Sequence, residues 1–129
     1  MHENEIAKEI VDASLQVHRE LGPGLFESVY EVALEHELES RGFRTLAQVP
    51  VSVSYGGHHI DVGFRADLIV ENKVIVEIKS IEVILRVHKK QLLTYLRLAD
   101  KRLGLLINFG SAMIRDGISR IVNRLEESG

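Results

Sequence analysis

Asp67-Leu68-Ile69-Val70-Glu71-Asn72-Lys73-Val74-Ile75-Val76-Glu77-Ile78-Lys79 decides the fold. It reads as two apolar strands broken only by the turn-like Glu71-Asn72-Lys73, with charges at the far end of each strand. Side chains alternate along a strand, so Glu77 and Lys79 share one face while Ile78 takes the other. If Glu71-Asn72-Lys73 forms the loop, positions whose numbers sum to 144 face each other, and Asp67 lies opposite Glu77. Facing side chains sit roughly 5 Å apart at Cβ, near enough for two carboxylates to grip one divalent cation. Without a cation, one of the two would tend to hold a proton. The plain alternative is a solvated ion pair in which Lys79 bridges Asp67 or Glu77, a common surface arrangement of little energetic weight.

The 129 residues suit one compact domain spanning 1–129, large enough for a real core. With 45% apolar, 5% aromatic and 27% charged residues the composition is that of a globular chain and argues against disorder. There is no cysteine, which excludes disulfides and thiolate metal sites. No apolar stretch approaches the span of a membrane helix. The start Met1-His2-Glu3-Asn4-Glu5 lacks the basic region of a signal peptide, so a soluble, cytoplasmic protein is expected. A net charge of −3 argues against indiscriminate nucleic-acid binding. The sign is uneven, however: Glu dominates residues 1–39, whereas Arg86, Lys89, Lys90, Arg97, Lys101 and Arg102 cluster with only Asp100 among them. Solvated helix faces would account for both clusters.

Outward from the central hairpin, the periodicity predicts two helices first. Ile6, Ile10, Ala13, Val17 and Leu21 form one stripe, ended by Gly22-Pro23-Gly24. A second helix is expected from Leu25 to Arg41, burying Phe26, Val29, Tyr30, Ala33, Leu34 and Leu38, with Glu31, Glu35 and Glu39 on its outer face. Then Val49, Val51, Val53 and Tyr55 alternate with polar residues, and Pro50 suggests an edge strand or a bulge. Gly56-Gly57 signals a hairpin pairing Val53 with Ile60, Val51 with Val62 and Val49 with Phe64. In that register Asp67 emerges on the polar face with Arg65, a parity that a bulge at Gly63 would reverse. A third helix follows around Arg86 to Asp100, then the buried strand Leu103 to Phe109, whose crossover makes it parallel to the Glu77 strand and the sheet mixed. The tail Ile118, Ile121, Val122 and Leu125 reads as weakly helical.

Two further groups of residues sit where chemistry could use them. On the third helix His88, Gln91 and Tyr95 face roughly one way and could contact phosphate or a metal-bound water, although a polar helix edge would look the same. On the second, Glu27 lies one turn from Tyr30 near the helix start, a place where the helix dipole favours a carboxylate in any case. His58 and His59 make a poor metal pair, because neighbours on a strand point to opposite faces.

Gly24-Leu25-Phe26-Glu27-Ser28-Val29-Tyr30 resembles the signature of the GxxExxY protein family, and Asp67 with Glu77-Ile78-Lys79 resembles the core motif of the PD-(D/E)XK nuclease superfamily. Gln91-Leu92-Leu93-Thr94-Tyr95 looks like the Gln-xxx-Tyr motif of its RecB-type branch. Ala66 stands where the superfamily name has proline, a position without chemical activity. The resemblance implies an α/β fold with a restriction-endonuclease-like αβββαβ core, a mixed sheet flanked by helices, that hydrolyses DNA or RNA phosphodiesters with Mg²⁺, Mn²⁺ being a substitute. It implies that Asp67, Glu77 and the Ile78 carbonyl hold the metal and that Lys79 orients the attacking water or offsets charge. Glu27 would join the metal or its water, and Gln91 and Tyr95 would steady the phosphate. The partner would be nucleic acid rather than membrane, and a domain this small that cuts duplexes would often form a homodimer. The alternative is a catalytically silent nuclease-like scaffold that binds nucleic acid or a protein. The intact Asp67, Glu77 and Lys79 favour the enzyme, since loss of chemistry would erode them first.

Overall fold

A computed structural model describes residues 1–126. Helix α1 (Glu3–Leu21) and helix α2 (Glu27–Ser40) precede strands β1 (Thr45–Tyr55), β2 (His58–Val70) and β3 (Val74–Lys79); helix α3 (Arg86–Ala99), β4 (Leu103–Asn108), a short 3₁₀ turn (Ile114–Gly117) and β5 (Ile118–Val122) complete the order. The strands form one mixed sheet in the order β1-β2-β3-β4-β5, with only the β3–β4 pair parallel. This is the expected α/β architecture of a mixed sheet flanked by helices. The helical crossover through α3 gives the expected parallel pair.

Two cores sit on the two faces of the sheet. Ile6, Ile10, Ala13 and Val17 of α1 and Tyr30, Leu34 and Leu38 of α2 pack on Leu68, Val70, Val74, Val76, Ile78, Leu103, Leu105 and Ile107. Leu92 and Leu96 of α3 cover Ala66, Ile69, Ile75 and Leu106 on the other face. Central β3 and β4 are therefore covered on both sides, which is why they read as continuous apolar runs rather than alternating ones. A Cβ on Gly104 would meet the Leu92 side chain at 2.9 Å, so glycine there lets α3 lie close to the sheet.

Several elements differ from the sequence expectation. The tail Ile118–Val122 is a strand, not a helix, because the open edge of β4 offers it an antiparallel ladder, and Ile118 and Ile121 divide between the two cores. Helix α2 starts at Glu27 rather than Leu25: Phe26 has extended backbone and is 84% exposed, and Val29 is exposed too. Leu21, at the end of the α1 stripe, is also exposed. In the β1–β2 hairpin, Val53 faces Ile60 as expected, but the register then slips. Val51 faces Phe64 and Val49 faces Ala66. The slip is at Gly63, where a Cβ would lie 2.5 Å from the Val53 side chain and 2.6 Å from the Val51 carbonyl oxygen. It amounts to two residues rather than one, so the reversal of parity that a one-residue bulge would bring does not arise there.

Leu96 is fully buried in α3. Leu96→Ala should destabilise the fold by about 3 kcal/mol in chemical denaturation through the cavity it leaves between α3 and the sheet.

Candidate functional site

The β2–β3 ladder pairs Val70 with Val74, Ile69 with Ile75 and Leu68 with Val76, the predicted register, and then it stops. Asp67 and Glu77 are the next positions on each side. On the other flank of β2, Ala47 pairs with Leu68 and Val49 with Ala66, while Gln48 and Asp67 between them make no ladder pair. Asp67 thus stands where β2 parts from both neighbours. Across it the strand changes its facing: Ala66 joins the core under α3, and Leu68 joins the core under α1 and α2.

That local turn has a consequence for the site. Glu77 lines a cleft with Arg65, Lys79, His88, Gln91 and Tyr95 on the α3 side, so Glu77 and Lys79 share a face and the three α3 residues converge on it, as expected. Asp67 instead lines a cleft with Glu27, Ser28, Glu31, Gln48 and Ile78 on the α2 side. Sequence reasoning placed Asp67 on the same face as Glu77, and the two carboxyls meet through the gap between the strands rather than across one face. Asp67 Oδ2 accepts the Ile78 N–H at 2.8 Å, which substitutes for the missing ladder bond and fixes the carboxylate against β3.

Glu77 is only 8% exposed, and its Oε1 has no hydrogen-bond partner. Burial, followed by the neighbouring Asp67 carboxylate, pushes the Glu77 acid up to about 9; the Lys79 charge acts in the opposite sense. Glu77 therefore keeps its proton at neutral pH. Tyr95 is raised by burial and by the charges of Glu77 and Asp67, which places its phenol beside them. Its ring stacks on Phe64 with centroids 3.8 Å apart and planes 7° from parallel.

The supporting contacts come from loops on both sides of Lys79. Tyr30, the last residue of the Gly24–Tyr30 motif, is buried, stacks on Phe109, accepts the Leu25 N–H at 3.1 Å and donates to the Gly22 carbonyl at 2.5 Å. It ties down the turn that leads into Glu27. Ser80 donates to the Leu25 carbonyl at 2.6 Å, joining the end of β3 to that same turn. Buried Asn108 donates to the Ile81 carbonyl and accepts from the Ile81 and Gly110 N–H groups, anchoring the chain just beyond Lys79. His88 Nδ1 accepts the Leu85 N–H at 2.9 Å, so part of its capacity caps α3.

Glu31 was assigned to the outer face of α2, and the structure corrects this: it is half-buried beside Asp67, accepting the Gln48 amide, and burial raises its pKa. Its spacing of four from Glu27 was the available signal. Gln48 and Arg65 are the other cleft residues not singled out from the sequence. His58 and His59 are exposed, with His59 bonded to Ser52. Among the described residues no three His, Asp or Glu side chains gather closely enough to enclose an ion by themselves. The donor set nevertheless fits a hard cation that keeps most of its water, since Mg²⁺ needs one or two carboxylates and the orphaned Glu77 oxygen supplies an unused acceptor.

A family model described as the PD-(D/E)XK nuclease superfamily matches residues 4–121. The chain belongs to that superfamily. Its fold is the restriction-endonuclease-like one, and the superfamily is one of nucleases that usually use divalent metals. Among solved structures, one described as the crystal structure of SSO0001 is similar, with 27% identity and a TM-score of 0.53, covering 78% of this chain and 52% of that one. The chain thus spans about half the length of that relative. No curated protein matches it. No helix among the described residues is long and apolar enough to cross a membrane.

The proton held by Glu77 makes stability depend on pH. A carboxyl raised from 4.5 to about 9 is protonated in the folded state and ionised in the unfolded one between those values, so stability falls as pH rises through that window. In chelator, thermal unfolding should show Tm declining from pH 5 to pH 9. Glu77→Gln should flatten most of that decline and raise Tm at pH 8 by about 5 °C.

Proposed function

We propose that this PD-(D/E)XK protein is a Mg²⁺-dependent nuclease that hydrolyses phosphodiester bonds of DNA or RNA, and that it belongs to the GxxExxY group with a RecB-type Gln-xxx-Tyr element. The observation that carries this reading is the meeting of buried Glu77 with half-buried Asp67, Glu77 keeping a proton where a cation would fit, with Lys79 on the same cleft as Glu77. Structural ion pairs satisfy their carboxylates with partners. Glu77 leaves one oxygen bare.

In this proposal Asp67, Glu77 and the Ile78 carbonyl would hold Mg²⁺, and Glu27 would reach the ion or its water from the α2 side. Bound there, the ion supplies a Lewis acid that acidifies water and neutralises phosphate charge. Lys79 Nζ orients the attacking water and offsets charge as the phosphorus becomes five-coordinate. Gln91 donates its amide, and Tyr95 its hydroxyl, to non-bridging phosphate oxygens from the α3 wall of the cleft. Phe64 supports the Tyr95 ring from behind. Arg65, lining the same cleft, adds a positive charge where the backbone of a nucleic acid would enter.

The test is cleavage of labelled single-stranded, double-stranded and branched nucleic acids with Mg²⁺, Mn²⁺ or chelator. Asp67→Asn and Lys79→Ala should each lower metal-dependent cleavage by at least 10³-fold, by analogy with the loss of one electrostatic group in other phosphate or acyl transfers. Wild-type rates in either variant would reject the assignment. A silent scaffold would cut none of the panel and would need no ion in calorimetric titration.

A further inference from the structure

Gln48 sits in a gap of the β1–β2 ladder, separate from the slip between Val51 and Val53, and faces Asp67 in the register set by Ala47–Leu68 and Val49–Ala66. Its backbone is left-handed, with φ of 51°. For a residue with a long, unbranched side chain in a strand that conformation is costly, and unlike Asn or Asp it has no short side chain to bond its own backbone in compensation. Glycine would take it freely. What glycine lacks is the side-chain amide.

That amide is aimed at two acids. Gln48 Nε2 lies 2.5 Å from Glu31 Oε1 and 3.4 Å from Asp67 Oδ1, so its two N–H groups are shared between a carboxylate on α2 and one on β2. Burial and, more weakly, the Asp67 charge push Glu31 up, while the Gln48 bond pulls it down. A neutral two-donor group is the chemistry that can stand between two acids and hold both, where an acid would repel them and a lysine would neutralise them. Arg65 Nη1 donates to the Gln48 carbonyl at 3.4 Å and holds the kinked backbone from the opposite cleft.

We infer that Gln48 is a positioning residue: its left-handed backbone aims an amide that fixes Asp67 from the side opposite Glu77, with Glu31 as the outer brace. The Ile78 N–H secures Asp67 Oδ2, and the Gln48 amide steadies Oδ1. Local backbone strain is thereby exchanged for a fixed carboxylate. The inference rests on the proposal that Asp67 is a metal ligand and deepens it by naming what orients that ligand.

The experiment compares Gln48→Gly and Gln48→Ala with the wild-type chain, reading Tm in chelator, Mg²⁺ affinity by calorimetry, and kcat and KM on an oligonucleotide. Gln48→Gly relieves the backbone and removes the amide, so its Tm should rise by about 3 °C while Mg²⁺ binds ~10-fold more weakly. In that variant kcat should fall and KM should stay near the wild-type value. Gln48→Ala, which keeps the strain and loses the amide, should share the weaker affinity and lower kcat without the gain in Tm. A glycine variant with wild-type Mg²⁺ affinity, or with a lower Tm, would overturn the inference. Wild-type protein that binds no Mg²⁺ would instead sink the nuclease proposal, so the two failures are distinguishable.

Discussion

Everything in this molecule converges on two carboxyls that the sheet forces together. β2 and β3 run as a tight antiparallel pair from their turn to Leu68 and Val76, then part, and Asp67 and Glu77 occupy the parting. Burial under α3 and the adjacent Asp67 charge keep Glu77 protonated near neutrality, and a bare carboxyl oxygen remains inside the fold. Such an arrangement is destabilising unless something replaces the proton. The rest of the structure holds that arrangement in place: two helices behind one face, a third helix over the other, and loops pinned by Tyr30, Ser80 and Asn108.

The division of the site between two clefts follows from the same parting. Had the strands continued in register, Asp67 and Glu77 would both have faced α3, and α2 could have contributed nothing. Because β2 turns over at Asp67, the carboxylate opens toward Glu27 and Glu31 while remaining bonded to the Ile78 N–H. Helix α2 and helix α3 can therefore address one small region from opposite sides of the sheet. The glycine-rich turn before α2 is part of this construction, since Tyr30 and Ser80 fix the point at which Glu27 enters.

How much of this was legible in the sequence depends on whether local periodicity decided it. The β2–β3 register, the parallel β4, α3 with its His88-Gln91-Tyr95 face and the shared face of Glu77 and Lys79 all followed from alternation and turn signals, which tertiary packing reinforces here. The β1–β2 register did not, because the slip at Gly63 and the left-handed Gln48 are backbone events that leave no periodic trace. Glu31 was misplaced because a stripe of glutamates at every fourth position looks the same whether its first member faces water or a neighbouring carboxylate. The β5 strand was missed since five residues of mixed spacing take their conformation from the free edge of β4, not from their own preference.

The most direct measurement is the number of protons released when Mg²⁺ binds, obtained by titration calorimetry at pH 7 in buffers of different ionisation heat. If the ion takes the place of the proton held by Glu77 beside Asp67, about one proton leaves per ion bound in the wild-type chain, and the release vanishes in Glu77→Gln. Binding without proton release, or equal release from the Glu77→Gln variant, would contradict the account.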